Sequence, residues 1–366
     1  MQIFCPECGQ STDFSPQYYR CTCGGAWEPV ERQDFSTDAI DLSQSSIWRY
    51  QDLFGLESVK QPLSLGAGWT PLMEIDWQQT RVLTKMEYLA PTGSFKDRGT
   101  EVEMNYLRSL GIRDVVEDSS GNAGASMAAY AGRLGLNASI YAPDSASPAK
   151  LAQIKVFGAQ LHEVSGARIE ATKAVLKAVE SGAVYASHAY NPVYLLGQQS
   201  IAWEIWEQLD RQLPDAVVFP VGQGGLLMGA WLGFRRLLFS GKIDRLPRLY
   251  AVQPQCLAPI SNAYRDDLED IPEAKVYERS VAEGLAIVRP VRAKRILQAL
   301  RESQGAGLTV DEEDIMRAYH DLARQGFFVE PSSAVAFAAL TQVLGDCGEN
   351  ARVVVALTGS GLKSLE

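Results

Sequence analysis

A lysine at the edge of a glycine–serine turn is the residue with the clearest chemical capacity in this chain. Lys96 lies in the run Pro91–Gly99, which reads PTGSFKDRG. The run joins a turn to the start of a predicted helix, so the amine is held at an element boundary. A lysine amine held in place can form a Schiff base with a cofactor that carries a carbonyl group. The alternative is a surface lysine beside a surface Asp–Arg pair.

A second candidate site is the run Ser119–Ser126, which reads SSGNAGAS. It follows a predicted strand and opens the alanine-rich helix predicted over Ala123–Leu134. Free N–H groups at such a helix start bind anions, including carboxylates. The amide of Asn122 can donate to a phenolate oxygen. A simple Asx or Ser helix cap is the alternative.

A third candidate is the glycine-rich loop Val221–Leu226, which reads VGQGGL and links the predicted strand Ala216–Val221 to a helix. Glycines let the backbone approach a phosphate closely, and the helix dipole favours the negative charge. The loop lacks both the G-x-G-x-x-G pattern and a Walker lysine, so nucleotide binding is not indicated. A tight turn without a ligand remains the alternative.

The fourth candidate is the glycine-rich run Thr358–Lys363, TGSGLK, which follows the predicted strand Val353–Leu357. In open α/β sheets, ligand groups gather beyond the carboxyl ends of the strands. A hydroxyl group at that edge can hydrogen-bond a ring nitrogen without supplying a full charge. A glycine-rich chain segment without a ligand is equally compatible with the pattern.

The elements that must position these runs alternate along the chain. Short apolar runs predict strands at 82–86, 114–117, 139–142, 216–221, 249–253 and 353–357. Helical periodicity is seen at 101–110, 123–134, 149–157, 168–181, 198–209, 227–238, 312–325 and 333–344. Strands that alternate with helices predict an α/β architecture with a parallel sheet.

The composition and net charge of the chain limit the classes of partner that we expect. The chain has 366 residues, is 46% hydrophobic and carries a formal net charge of −10. Without a long basic run, nucleic acid is not an expected partner. The start MQIFCPECG has no basic segment followed by an apolar stretch, so we expect no secretory signal and a cytoplasmic location. The apolar segment Ala216–Phe234 contains Pro220, Gln223 and five glycines, which argues against a membrane span.

Four of the six cysteines cluster near the N-terminus: Cys5, Cys8, Cys21 and Cys23. Four thiolates from two short turns can close a tetrahedral structural zinc site. The second pair is C-x-C rather than C-x-x-C, so a metal-free knuckle is the alternative. Disulfides are disfavoured because a reducing compartment is expected. We therefore predict a zinc-ribbon-like segment over residues 1–30.

Taken in order, these motifs resemble the fold type II pyridoxal phosphate enzymes, and most closely the threonine synthase family. The resemblance covers residues 65–363 and rests on seven motifs: LGAGWTPL (65–72), PTGSFKDRG (91–99), SSGNAGAS (119–126), AYNPVYLLGQQSIAWEI (189–205), VGQGG (221–225), EPSSA (330–334) and LTGSGLK (357–363). The cysteine knuckles also look like those of some family members. The expected activity is that of a lyase in amino-acid metabolism or biosynthesis.

The resemblance assigns roles to individual residues. It implies that Lys96 forms the internal aldimine with the cofactor, that Asn122 reaches the cofactor 3-hydroxyl, and that Thr358 hydrogen-bonds the pyridine nitrogen. The residues implied for the cofactor phosphate are Gly222, Gln223, Gly224, Gly225 and Leu226. A neutral partner at the ring nitrogen favours elimination and replacement over transamination. In this scheme the amine of Lys96, once freed by an amino-acid substrate, removes the α-proton.

The resemblance also implies a domain organisation. The catalytic region spans residues 31–366, with a cleft between two α/β domains that contain parallel or mixed sheets. The larger subdomain covers about 31–96 and 186–366, and a smaller, mobile one covers about 97–185. A homodimer is the family expectation for the assembly.

The substrate positions depart from the family pattern. Threonine synthases typically hold the phosphate of O-phosphohomoserine with Thr, Ser, Arg and Asn side chains, where this chain has Ala123, Ala189, Tyr194 and Gln223. Together with Ser120 and Gly121, positions 123, 189 and 194 are the predicted substrate-binding positions. Each lost charge-assisted hydrogen bond costs about 1.5–3 kcal/mol. By charge alone, the residues that could compensate are Arg168, Lys150 and Lys155.

Three functions therefore stay open. The first is a threonine synthase or a related enzyme with another leaving group, acting by elimination and replacement on a small amino acid. The second is a threonine or serine ammonia-lyase or a β-replacement enzyme, which the loops at Asn122 and Gln223 favour. The third is a cofactor-binding protein without turnover. His188 could line the cleft, and Glu330 could contact the cofactor region or start a helix.

Overall fold

The computed structural model describes residues 1–144, 146, 148–166, 168–276 and 278–364. In those ranges the strands are β1 (Gln2–Phe4), β2 (Ser11–Asp13), β3 (Glu28–Pro29), β4 (Leu72–Trp77), β5 (Thr80–Lys85), β6 (Asp114–Glu117), β7 (Asn137–Pro143), β8 (Gln160–Val164), β9 (Val184–Tyr185), β10 (Ala216–Pro220), β11 (Arg248–Pro254), β12 (Ala306–Val310) and β13 (Val353–Ala356). The helices are α1 (Gln51–Phe54), α2 (Lys96–Ser109), α3 (Asn122–Leu134), α4 (Pro148–Val156), α5 (Arg168–Glu180), α6 (Pro192–Gln208), α7 (Gly225–Phe239), α8 (Pro259–Arg265), α9 (Ala293–Glu302), α10 (Glu312–Arg324), α11 (Pro331–Ala338) and α12 (Leu340–Cys347).

The strands form three sheets. The large sheet has the order β12-β11-β10-β13-β5-β4 and is parallel except for β4, which is antiparallel to β5. The small sheet, β8-β7-β6-β9, is entirely parallel. The N-terminal sheet, β2-β1-β3, is antiparallel. The predicted α/β architecture with parallel and mixed sheets is thus confirmed.

Burial on both faces explains why the large sheet is parallel. Every residue of β10 (AVVFP) and of β13 (VVVA) is buried. Strands with two apolar faces need helices on both sides, and βα crossovers supply them. The two main hydrophobic clusters therefore lie on opposite faces of this sheet: Val217 and Phe219 belong to one, Val218 and Val355 to the other.

The differences from the predicted elements have physical causes. Helix α6 begins at Pro192 instead of residue 198, because Asn191 caps it and proline is favoured in the first turn. Almost all of α6 is buried, so its start shows no amphipathic period. The helix predicted at 333–344 is two helices separated at Ala339. Seven of the strands given above were not predicted: β1–β3 and β9 have only two or three residues, and β4, β8 and β12 have few buried positions, so neither group shows a clear apolar run.

The topology brings the four candidate runs together. Strands β10, β13 and β5 are neighbours in the large sheet, and the runs at Val221, Thr358 and Lys96 lie beyond their carboxyl ends. Strand β6 of the small sheet leads into the Ser119 run in the same way. All strands of the small sheet lie within the segment predicted as the smaller subdomain, although the domain division stays a prediction. In the described part of the chain, no helix is both long and apolar enough to cross a membrane.

Candidate active site

A cavity of about 360 Å³ opens between loops that follow strands of the two larger sheets. One side, here the large-sheet wall, consists of Pro220–Leu227, Glu283–Leu285, Ile287, Glu330, Ser332 and Thr358. The other side, the small-sheet wall, consists of Ser119–Ala123, Ala146, Arg168 and His188. Phe95 and Lys96 lie at the junction of the two walls. All four candidate runs thus contribute to one cavity.

Lys96 is held by the residues on either side of it. It is the first residue of α2 and follows the turn at Gly93, whose φ of +75° suits glycine. The next residue, Asp97, is fully buried and accepts hydrogen bonds from the main-chain N–H of Thr92 (2.7 Å) and the hydroxyl groups of Thr92 and Ser126 (both 2.6 Å). The start of the helix is therefore fixed to both the preceding turn and α3.

Behind Lys96, Arg98 belongs to a fully buried ionic cluster. Its guanidinium group donates to Glu87 Oε2 and to Glu204 Oε1, each at 2.6 Å. Lys85 also donates to Glu204, at 2.8 Å. The side chains of all four residues are 0% exposed. Because breaking such a cluster leaves an unpaired buried charge, it anchors α2 to β5 and α6 in one position.

The surroundings of Lys96 favour the neutral form of its amine. Burial lowers the pKa of Lys96 from 10.5 to about 8, and the positive charge of Arg168 acts in the same direction. The carboxyl groups of Glu117 and Glu330 oppose this shift. A lysine with such a pKa can serve as a nucleophile or a base near neutral pH.

The large-sheet wall presents main-chain groups at the start of α7. Gly224 has φ +79°, and a Cβ atom there would lie 2.4 Å from Ile296 Cδ1, so glycine is required. A Cβ atom at Gly222 would lie 3.2 Å from the carbonyl oxygen of Gly284. The side chain of Gln223 hydrogen-bonds within the protein, since its Oε1 accepts from Val291 N at 3.1 Å. The loop therefore offers N–H groups and a helix N-terminus to an anion.

The hydroxyl group of Thr358 is held on the same wall by Ser333. Thr358 Oγ1 lies 3.0 Å from Ser333 Oγ, which also accepts from the main-chain N–H groups of Thr358 (3.1 Å) and Gly359 (2.8 Å). The run at Thr358 is thereby tied to α11, the helix that starts inside the EPSSA motif. Ser333 was not predicted as a site residue, although its motif was among those quoted for the family resemblance.

Asn122 reaches across the cavity from the small-sheet wall. Its Nδ2 donates to Glu330 Oε2 at 2.9 Å, and its Oδ1 accepts from Lys363 Nζ at 2.8 Å. Glu330 is 7% exposed and lies immediately before α11. The amide of Asn122 therefore bridges the two walls near the hydroxyl group of Thr358.

The predicted substrate positions divide into two groups. Ser120, Gly121 and Ala123 line the cavity, whereas Ala189 and Tyr194 are not among its described lining residues. Tyr194 is 1% exposed and packs on α2, where a Cβ atom at Gly99 would lie 2.4 Å from its ring. The predicted contact of Ala189 and Tyr194 with a substrate stays a prediction.

Of the three compensating cations considered above, Arg168 lies on the cavity wall. Lys155 is exposed and pairs with Glu163 at 3.0 Å, and the side chain of Lys150 lies outside the described residues. His188 also lines the cavity, and its Nδ1 lies 2.9 Å from Oε1 of Glu117. Glu117 was missed in the sequence, where an acid at the end of β6 just before the Ser119 run was the available signal.

Known proteins resemble this chain over most of its length. Residues 63–359 match the family described as "Pyridoxal-phosphate dependent enzyme". The threonine synthase of Methanocaldococcus jannaschii is 34% identical over 98% of this chain and 92% of its own length, and that of Synechocystis is 35% identical over 90% and 87%. The chain belongs to the pyridoxal phosphate-dependent enzymes. Within them it is a threonine synthase-like lyase.

Solved structures of this family confirm the fold. Maize serine racemase superposes with a TM-score of 0.71 at 22% identity, covering 84% of this chain and 92% of that one. The processed form of threonine deaminase isoform 2 from Solanum lycopersicum gives a TM-score of 0.70 at 22% identity, covering 91% and 93%. At these identities the likeness concerns the fold alone.

The cavity has the donor set that pyridoxal phosphate requires. A lysine with a lowered pKa, a neutral hydroxyl group at Thr358, an amide at Asn122 and the glycine loop all face one volume. Main-chain N–H groups at a helix start suit the cofactor phosphate, and small residues leave room for it. The residues present therefore fit the cofactor of this enzyme family.

Four cysteines form a second cluster, in the segments that connect the strands of the N-terminal sheet. The sulfur atoms of Cys5, Cys8, Cys21 and Cys23 all lie within 4.8 Å of one another. Cys5 and Cys23 are 3.5 Å apart, and Cys8 and Cys21 are 3.7 Å apart. A disulfide requires about 2.05 Å, whereas a tetrahedron with Zn–S distances of about 2.3 Å has edges of about 3.8 Å. The spacing fits four thiolates around zinc.

Proposed function

We propose that this enzyme forms threonine, or a closely related amino acid, from an activated homoserine by elimination and replacement. The observation that carries the proposal is the 34% identity to a threonine synthase over 98% of this chain. A cavity with Lys96 at its junction supports it. The proposed substrate is a small amino acid with an oxygen-linked leaving group, and O-phosphohomoserine is the first to test.

The proposed roles follow from the position of each group. Pyridoxal phosphate, when bound, withdraws the electron pair left at the substrate α carbon. The amine of Lys96 accepts the α-proton, for which a pKa of about 8 is well matched. Thr358, positioned by Ser333, donates or accepts one neutral hydrogen bond at the ring nitrogen. The N–H groups of Gly222–Leu226 hold the cofactor phosphate, and Asn122 orients the ring oxygen.

Arg168 is the proposed recognition residue for the anionic leaving group. Among the described lining residues, Lys96 and Arg168 are the lysine and arginine side chains, and Lys96 is committed to the reaction. Arg168 is exposed at the start of α5 and electrostatically coupled to Lys96, Glu117 and His188. Its guanidinium group can bind a phosphate in a bidentate manner. It would thus replace the arginine that the family places at position 194.

A product assay tests the proposal. The holoenzyme is incubated with O-phosphohomoserine, O-acetylhomoserine, serine and threonine, and the release of phosphate, ammonia and 2-oxo acids is measured. Threonine and inorganic phosphate in equal amounts are expected from O-phosphohomoserine. Release of ammonia and a 2-oxo acid from serine or threonine, with no phosphate release, would contradict it.

An ammonia-lyase or β-replacement activity is the second candidate. It is favoured by Ala123 on the cavity wall and by the burial of Tyr194 behind it, since neither offers a hydrogen bond to a substrate phosphate. The same assay separates the two candidates, because ammonia and phosphate are different products.

We also propose a structural zinc ion at the cysteine cluster, a homodimeric assembly and a cytoplasmic location. The sulfur spacing supports zinc. Free thiols at this density favour a reducing compartment. The homodimer is the family expectation and is tested by light scattering.

A further inference from the structure

An acid–imidazole pair is built into the small-sheet wall. His188 Nδ1 lies 2.9 Å from Glu117 Oε1, and the main-chain N–H of His188 donates to Glu117 Oε2 at 3.3 Å. The side chain of Glu117 is 1% exposed, and that of His188 is 11% exposed. Glu117 ends β6, and His188 follows β9, the parallel neighbour of β6. Two adjacent strands thus hold both partners on a rigid support.

The surroundings keep the pair close to neutral. Burial raises the pKa of Glu117 well above its ordinary value and lowers the pKa of His188 well below its own. The charged and titratable groups that face the pair from neighbouring elements are Glu103, Asp118, Lys96, Arg168, Arg292 and Tyr194. A net-neutral pair in this setting carries one proton that can be transferred.

We propose that His188 transfers protons at the side-chain end of the substrate, while Lys96 serves the α carbon, and that Glu117 positions His188. The proposal rests on the elimination and replacement chemistry proposed above. Glu117 engages Nδ1, which leaves Nε2 for a group in the cavity. A base oriented by a carboxyl group is the arrangement found in many hydrolytic sites.

The chemistry involves proton transfer at two ends of the substrate, the α carbon and the leaving group. When the carbon–oxygen bond to the leaving group breaks, the electron pair departs with the oxygen, and the proton on Nε2 passes to that oxygen. For threonine to form, one proton moves from the β carbon to the γ carbon by way of Lys96. The oxygen of water then bonds to the β carbon, and the proton displaced from that water returns to Nε2. The pair ends with the protons it began with, and no oxidant or reductant is required. A donor at the side-chain end of the substrate allows Lys96 to remain at the α carbon while the leaving oxygen is protonated.

The inference narrows the substrate class. A residue that protonates the leaving oxygen serves phosphate esters and hydroxyl groups, both of which leave more readily when protonated. It would contribute less for a leaving group that departs as a weakly basic anion. Substrates with phosphate or hydroxyl leaving groups should therefore depend on His188 more strongly than O-acetyl substrates.

The test separates the two proton transfers in the holoenzyme. Exchange of the substrate α-proton with deuterium from heavy water is followed by proton NMR, and product formation is followed in the same samples. For His188→Asn, product formation should fall about 100-fold, with α-exchange within about threefold of the wild type. His320→Asn is the control, because His320 is exposed and lies outside the cavity. Equal loss of exchange and product, or loss of neither, would overturn the inference.

Glu117→Gln keeps the shape of the pair without its acid and provides a second route if His188→Asn misfolds. In the wild type, kcat should fall at alkaline pH as the pair of His188 and Glu117 loses its proton. In Glu117→Gln this fall of kcat at alkaline pH should be absent. If Glu117→Gln shows the same fall of kcat at alkaline pH as the wild type, the inference is also overturned. If the wild type exchanges the α-proton but forms no product from any tested substrate, the proposed function fails instead. The two failures are therefore distinguishable.

Discussion

The two walls of the cavity present different kinds of chemical group. The large-sheet wall offers main-chain N–H groups and neutral hydroxyl groups, held by glycine conformations and by Ser333, together with the carboxyl groups of Glu283 and Glu330. The small-sheet wall offers Arg168 and the titratable pair of His188 and Glu117. Both walls lie at the carboxyl ends of parallel strands, so the architecture is the same and the side chains differ.

This difference suggests that the large-sheet wall carries most of the cofactor binding and the small-sheet wall most of the substrate chemistry, with Asn122 of the small-sheet wall also proposed to contact the cofactor. A cofactor that is always present is best held by groups that do not change their charge with pH. A substrate that arrives, loses a group and leaves needs charged recognition and transferable protons. Of the positions at which this chain departs from the family pattern, Ala123 belongs to the small-sheet wall and Tyr194 lies behind it, whereas Gln223 belongs to the large-sheet wall. Changes on the two walls should therefore have different consequences.

The largest effect is expected at the junction of the walls. Replacing Lys96 with alanine removes the proposed base and the attachment point of the cofactor. We expect kcat to fall by roughly 10³-fold or more with every substrate. Lys155→Ala is the matched control, since Lys155 is exposed and pairs with Glu163 outside the cavity. Steady-state kinetics on both variants decide the point, and near-normal turnover by the Lys96 variant would refute the assignment.

On the large-sheet wall, Ser333→Ala should damage stability and cofactor binding together. The change leaves the buried main-chain N–H groups of Thr358 and Gly359 without their acceptor. Each such loss costs about 1–3 kcal/mol, so we expect roughly 2–4 kcal/mol less unfolding free energy. Urea unfolding and a cofactor titration measure both effects. Ser181→Ala, an exposed serine at the end of α5, should change neither.

On the small-sheet wall, Arg168→Gln should affect mainly the binding of an anionic substrate. A lost charge-assisted hydrogen bond of about 1.5–3 kcal/mol corresponds to a KM about 10- to 100-fold higher for O-phosphohomoserine. The KM for serine and the unfolding free energy should stay near wild-type values, and Arg168→Lys should retain part of the affinity. Equal changes for both substrates would show that the residue does not recognise the anion.

The reaction of Lys96 with pyridoxal phosphate should depend on pH. Because burial lowers the Lys96 pKa to about 8, the neutral amine is lost below that pH rather than below 10.5. Covalent incorporation of pyridoxal phosphate into cofactor-free protein should rise about tenfold between about pH 6 and 7 and level off above about pH 8. Trapping by reduction and mass spectrometry measures the rate. A rise that continues to about pH 10, as for a free lysine derivative, would contradict the shift.

The smallest effect is expected from the cysteine cluster, which lies outside both walls. Arg292 donates to the carbonyl oxygens of Trp27 (2.8 Å) and Tyr190 (2.9 Å), so it links the N-terminal sheet to the segment of His188. Removal of zinc by a chelator should lower kcat about 2- to 5-fold, as packed networks transmit modest effects. Metal analysis should find one zinc per chain, and its absence from metal-replete protein would refute the site.

Local sequence was sufficient for the features that depend on neighbouring residues. The turn before Lys96, the glycine loop before α7 and the alternation of strands with helices are set by steric and hydrogen-bonding preferences over a few positions. The sequence therefore predicted the α/β fold, the family and the runs that meet in the cavity. Those runs lie beyond the carboxyl ends of parallel strands, which is where the general rule for such sheets places ligands.

What the tertiary structure alone decided concerns residues far apart in the chain. Tyr194 stands where the family has an arginine, yet it packs on Gly99 behind the wall. Glu117 and His188 meet because β6 and β9 are adjacent, although 71 positions separate them. Arg98 is buried because Glu87 and Glu204 converge on it. Side-chain direction and burial depend on how the sheets and helices pack, so the sequence indicated the cofactor chemistry and the packing decided which residues line the cavity.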